Sequence, residues 1–87
     1  MEIYYSPKFS KLLNKLPSST QKLFVKQKEI FCDNWQDTRL HSKKLTGKPT
    51  MYSFRITSAY RVIFYLSDPM IAIFFSIGHR KDIYKKL

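Results

Sequence analysis

The spacing of apolar residues changes once along this chain, and that change constrains the fold more than any other feature. Phe9, Leu12, Leu13 and Leu16 recur at helical spacing, and Leu23, Phe24, Ile30, Phe31 and Trp35 form a second helical stripe. After Pro49 the period becomes two. Tyr52, Phe54 and Ile56 alternate with Ser53, Arg55 and Thr57, as a half-buried strand requires. Residues 60–66 read as another strand, Ser67-Asp68-Pro69 as a turn, and residues 70–77 as a further strand ended by Gly78. Helices followed by a run of strands specify an α+β arrangement.

The punctuation of the first half completes the order of elements. Residues 2–5 alternate as a short strand. Ser6-Pro7 reads as a helix N-cap followed by proline at the first helical position, and Pro17 stops that helix. Ser18-x-x-Gln21 fits a capping box opening a second helix, so the two helices form an αα-hairpin. Periodicity is lost over residues 36–49, where Lys43-Lys44-Leu45-Thr46-Gly47-Lys48-Pro49 reads as a basic turn or loop. Residues 79–87 form a short polar-basic tail without a terminal helix. The expectation is one domain over residues 1–87, β-α-α-β-β-β, with a helical hairpin packed on one face of a mainly antiparallel four-stranded sheet.

Charge narrows the function. Sixteen Lys and Arg against six Asp and Glu give a net charge of +10 on 87 residues, which attracts polyanions. The lysines of the helices, such as Lys8, Lys11, Lys22 and Lys26, serve to solvate helix faces, so the arginines are more informative. The single cysteine, Cys32, cannot form an internal disulfide and suits a reducing cytoplasm, where it is expected as a small buried side chain. Residues 1–7 read as a strand rather than a secretory segment. The longest apolar run, residues 70–75, is too short to span a bilayer, so no membrane role is expected. The few acidic residues do not cluster with the histidines. No metal and no cofactor is therefore expected.

The strand register sharpens the charge argument. Tyr52, Phe54 and Ile56 share the core face with Tyr60, Val62 and Phe64 only if Ile56 faces Tyr60 across the loop Thr57-Ser58-Ala59. That register sets Arg55 opposite Arg61 on the other face. The expected pairing of the next strand, Val62 with Phe75 and Phe64 with Ile73, brings Ser76 beside Arg61. The chain then leaves the sheet at Gly78 and presents His79, Arg80 and Lys81. Arg55, Arg61, Ser76, His79 and Arg80 are thus expected to converge on one concave face.

Four motifs resemble the RelE/ParE superfamily of toxins from bacterial type II toxin–antitoxin systems. They are Leu45-Thr46-Gly47, Tyr52-x-Phe54-Arg55-Ile56, Ala59-Tyr60-Arg61-Val62-Ile63-Phe64 and Ile77-Gly78-His79-Arg80-Lys81-Asp82-Ile83-Tyr84. The order of elements agrees as well. In the RelE-like branch the resemblance implies cleavage of mRNA in the ribosomal A site without a metal, and an acidic, partly disordered antitoxin as partner. Carried over by motif, the catalytic candidates are Arg61, His79, Arg80 and Tyr84. Arg55, Lys43, Lys44, Lys48 and Lys81 are candidates for RNA contacts.

These residue types suit the chemistry. Cleavage of RNA requires a deprotonated 2′-hydroxyl, a stabilised phosphorane and a protonated 5′-oxygen. Arginine matches phosphate in a bidentate fashion and keeps its charge, which assigns Arg61 and Arg80 to the transition state. His79 and Tyr84 supply groups for proton transfer, and Tyr84 also a ring for stacking on a base. Lysines of the loop would position the backbone without reading sequence. The competing readings are a ParE-like inhibitor of DNA gyrase on the same scaffold and a non-catalytic module derived from it.

Overall fold

The protein was analysed as a computed structural model, which describes residues 1–86. Its elements in order are β1 (Glu2–Tyr5), α1 (Pro7–Asn14), α2 (Ser18–Asp33), a 3₁₀ turn (Thr38–Leu40), β2 (Lys43–Leu45), β3 (Lys48–Arg55), β4 (Tyr60–Asp68), β5 (Ile71–His79), α3 (Arg80–Ile83) and a final 3₁₀ turn (Tyr84–Lys86). The strands form a single sheet in the order β1-β5-β4-β3-β2, antiparallel except where β1 runs parallel to β5.

The α+β class and the helical hairpin are as the periodicity implies, but the sheet has five strands rather than four. The additional strand, β2, lies in the segment read as a loop. Three residues containing two lysines carry no alternation, so nothing local announces a strand. Gly47, at φ 74°, makes the tight turn that folds β2 onto β3. The tail also differs from expectation: residues 80–83 form α3, and Ile83 is buried.

Local chemistry explains the helix ends. The Ser6 hydroxyl accepts from the Phe9 amide at 3.0 Å and donates to the Phe75 carbonyl at 2.9 Å, so one side chain caps α1 and ties it to β5. The capping box expected at Ser18 does not form. Pro17 is the N-cap of α2, and the Gln21 side chain donates to the Leu16 carbonyl at 2.9 Å. Cys32 and Leu23, both expected inside, are exposed on α2.

The core between helices and sheet is built from phenylalanine. Phe31 of α2 sits over the sheet with ring centroids 4.9 Å from Phe64, 5.1 Å from Phe74 and 5.2 Å from Phe54. Phe9 and Phe24 join the same cluster from the helices, with Val62, Ile56 and Ile77 from the sheet. A second, smaller cluster lies on the opposite face of the sheet. Leu45, Ile63 and Ile83 are buried there, with Met51, Phe75 and Tyr84 packed against them. The sheet is therefore covered on both faces, by the helical hairpin on one and by α3 with the following turn on the other.

Candidate nucleic-acid site

The β3–β4 register is the one the alternation requires. Arg55 faces Arg61, Phe54 faces Val62 and Ser53 faces Ile63. The loop lacks the glycine such turns favour, and Thr57 compensates. Its hydroxyl accepts from the Ala59 amide at 3.2 Å and the Tyr60 amide at 3.1 Å.

The β4–β5 register differs from the expected one. Val62 faces Ile77, Ile63 faces Ser76 and Phe64 faces Phe74, with a bulge that leaves Phe75 out of the pairing. Phe74 and Ala72 therefore enter the main core, while Phe75 joins the opposite cluster. Residues 70–75 are apolar without interruption, so their pattern does not say which side chains face the helices. Arg61 consequently lies across from Gly78, and Ser76 is one row further along the same face.

On the face away from the helices two cross-strand rows lie side by side. One is Arg55–Arg61–Gly78. The other is Lys43–Ser53–Ile63–Ser76. Successive same-face residues of a strand are about 7 Å apart, which sets the spacing of the rows. Arg61, Ser53 and Ser76 are all buried, so polar chemistry is concentrated on this side. One Arg61 Nη2 donates to the Ser58 carbonyl at 3.4 Å, and its Nε is buried with no partner.

Tyr84 reaches this face from the tail. Its ring packs in the smaller cluster, and its hydroxyl donates to Ser53 Oγ at 3.4 Å. With Lys43, Lys44, Leu45, Thr46 and Lys48 it lines an open cleft of about 440 Å³. Register pairing puts Lys43 on the Ser53 side, whereas Lys44 pairs with Tyr52, which packs against the main core. The three lysines read from a presumed loop thus rim one cleft on two strands of a hairpin. Arg55 is half-buried and does not line the cleft.

The start of α3 is pinned to the hairpin loop. The Arg80 amide donates to the Ala59 carbonyl at 2.7 Å, next to the carbonyl that Arg61 engages. Arg80 and Lys81 are exposed.

His79 does not close on the arginines. It pairs with Tyr60, whose ring belongs to the helix side of the sheet, and the two rings meet edge to face at 5.6 Å. Its Nδ1 accepts from the Lys81 amide at 3.1 Å, capping α3. Of the five residues expected to converge, Arg55, Arg61 and Ser76 share the arginine face, His79 does not, and Arg80 is exposed at the start of α3, tied to the hairpin loop by its backbone amide. The cause for His79 is strand alternation: Gly78 takes the arginine face, so its neighbour takes the other. His41, the C-cap of the 3₁₀ turn at φ 49°, is exposed and precedes Lys43 by two residues.

Charge at the site is largely uncompensated. The ion pair among the described residues is Arg39 with Asp37, at 2.9 Å, outside the cleft. Hydrogen bonds from the Arg39 side chain and amide hold the Asp37 carboxyl at about 2, below its ordinary range. Among the described residues no group of three or more His, Cys, Asp and Glu side chains stands together as a metal site would require. No helix of the described residues is long and apolar enough to cross a membrane.

Comparison with solved structures finds the same fold in several toxins. RelE in the RelB–RelE antitoxin–toxin complex from Methanococcus jannaschii is 24% identical with a TM-score of 0.77, over 97% of this chain and 98% of that one. YafQ from Escherichia coli is 15% identical with a TM-score of 0.77, over 95% and 97%. A YoeB/ParE toxin from Agrobacterium tumefaciens is 10% identical with a TM-score of 0.78, over 92% and 99%. At such identities the likeness is one of fold. A search among curated proteins finds no match. The family model for the ParE toxin of type II toxin–antitoxin systems matches residues 3–84, and the chain belongs to that family.

Proposed function

We propose that this toxin is a metal-independent mRNA endoribonuclease that acts in the ribosomal A site and so inhibits translation. The observation that carries the reading is Arg61. Its side chain is 92% buried on an 8% exposure, its Nε lacks an acceptor, and a second arginine stands directly opposite. A buried donor without a partner costs about 1–3 kcal/mol, and facing cations add to that. A phosphate bound between the two arginines relieves the repulsion between them.

The remaining roles belong to the same proposal. Arg61 and Arg80 stabilise the charge that develops on the phosphorane. Tyr84, which lines the cleft, serves as a proton-transfer group or a platform for a base. Lys43, Lys44, Lys48, Arg55 and Lys81 hold the RNA backbone, which steers binding without reading sequence. His79 supports the site by capping α3. The net charge of +10 suits an acidic antitoxin as partner, a role that RelB fills for the archaeal RelE.

Inhibition of DNA gyrase is the second reading. One observation favours it: with His79 turned to Tyr60, the cleft lacks the imidazole that an acid–base ribonuclease would use. Adding the protein to a cell-free translation reaction and mapping mRNA ends by primer extension, beside a gyrase supercoiling assay, separates the two. New mRNA ends with active gyrase are expected. Intact mRNA with inhibited gyrase rejects the ribonuclease, and neither effect rejects both in favour of a non-catalytic module.

A further inference from the structure

Ser53 is a buried polar residue that neither carries charge nor lines the cleft. It lies mid-strand in β3 with a relative exposure of 1%, between Arg55 and Met51 on the same face. A buried hydroxyl in a strand is unfavourable unless it is hydrogen-bonded. Its partner is not a neighbouring strand. It is the phenol of Tyr84, thirty-one residues away, at 3.4 Å.

We infer that Ser53 is a positioning residue that fixes the Tyr84 phenol over its own row, next to the arginine row. The inference rests on the proposed ribonuclease reading and deepens it. Two properties of serine matter. Its small volume leaves a notch between Met51 and Arg55 along the strand and between Lys43 and Ile63 across it, so the Tyr84 ring lies against the sheet. Its oxygen accepts the phenolic proton, which turns the phenol's lone pairs outward to the cleft. The substrate hydroxyl then meets Tyr84 as an acceptor in one fixed orientation. Ser53 touches no substrate and passes on no proton. Its effect is on where Tyr84 stands.

The pair Ser53→Thr and Ser53→Val tests this, because the two side chains have the same shape, both suit a strand, and only threonine keeps the hydroxyl. Cleavage on programmed ribosomes is followed at increasing toxin concentration. S53V is expected to lower the maximal rate about tenfold relative to S53T, the worth of one hydrogen bond, with the half-saturating concentration unchanged. In a Tyr84→Phe background the two Ser53 variants are expected to cleave equally. Equal rates of S53T and S53V with Tyr84 present, or the same difference with Tyr84 replaced, overturn the role of Ser53 while leaving the ribonuclease reading intact. A wild-type protein that cleaves nothing overturns that reading and the positioning role of Ser53 in cleavage with it. The contact is then judged by fluorotyrosine NMR. The Tyr84 line, assigned by its loss in Y84F, should differ between S53V and S53T, which add the same bulk, and coincident lines reject the contact as well.

Discussion

Arg55 and Arg61 face each other across the β3–β4 hairpin, on the sheet face turned away from the helical hairpin. Two cations so placed, one of them buried, are a poor choice for stability alone. The arrangement becomes favourable when an anion binds. This leads to opposite effects on folding and on binding. Arg61→Met is expected to raise the unfolding free energy by up to about 1 kcal/mol in chemical denaturation. It should weaken RNA binding and reduce the slope of log affinity against log salt by about 1. A variant that is less stable and binds RNA as tightly as wild type would contradict this.

His79 is expected to act through structure. His79→Ala removes the cap on the Lys81 amide and the edge-to-face contact with Tyr60. The loss should be about 1 kcal/mol of stability, by thermal melt. Cleavage falls as the seat of α3 loosens, but the pH–rate curve keeps its shape. A curve that loses a limb between about pH 5 and 8 would instead make His79 a proton carrier.

Phe31 is the keystone of the main core, touching rings from β3, β4 and β5. Phe31→Ala should cost about 3–5 kcal/mol, read from urea unfolding. A domain of this size has little more than that in reserve, so the variant is expected to be largely unfolded at body temperature. A loss under about 1 kcal/mol would mean that the surrounding rings close the gap.

Asp37 provides a local pH marker. Its carboxyl is held at about 2 against an ordinary 3.8 by the Arg39 side chain and amide. A carboxylate with a lowered folded-state value stabilises the fold at pH above the ordinary value. That contribution disappears as pH falls through the window from 3.8 to about 2. An NMR titration should find the Asp37 midpoint near the lower value, and Arg39→Ala should return it to the ordinary range. An unchanged midpoint in that variant would exclude the Arg39 side chain as the cause.

The legible parts of this fold were those with a clean period. Alternation through Tyr52, Phe54 and Ile56 fixed the β3–β4 register and with it the facing arginines. Ser6-Pro7 gave the start of α1. Uninterrupted apolar sequence concealed the bulge at Phe75, because a period of two cannot be counted where every residue is apolar. Lysines concealed β2, whose pairing comes from backbone bonds and a glycine turn. Of the site, Arg55, Arg61 and Tyr84 were readable, and Ser53 was missed. Its signal was a small hydroxyl on the arginine face of an aromatic strand, two residues before Arg55.

The face bearing Arg61 and Tyr84 is proposed to cleave RNA by attack of a 2′-hydroxyl. The chemistry of the ends tests it most directly. Cleavage on programmed ribosomes should leave a 2′,3′-cyclic phosphate upstream and a 5′-hydroxyl downstream. Replacing Arg61 by Met should slow it about 10²–10³-fold. A 5′-phosphate on the downstream fragment, or undiminished cleavage by the Arg61→Met protein, would contradict the account.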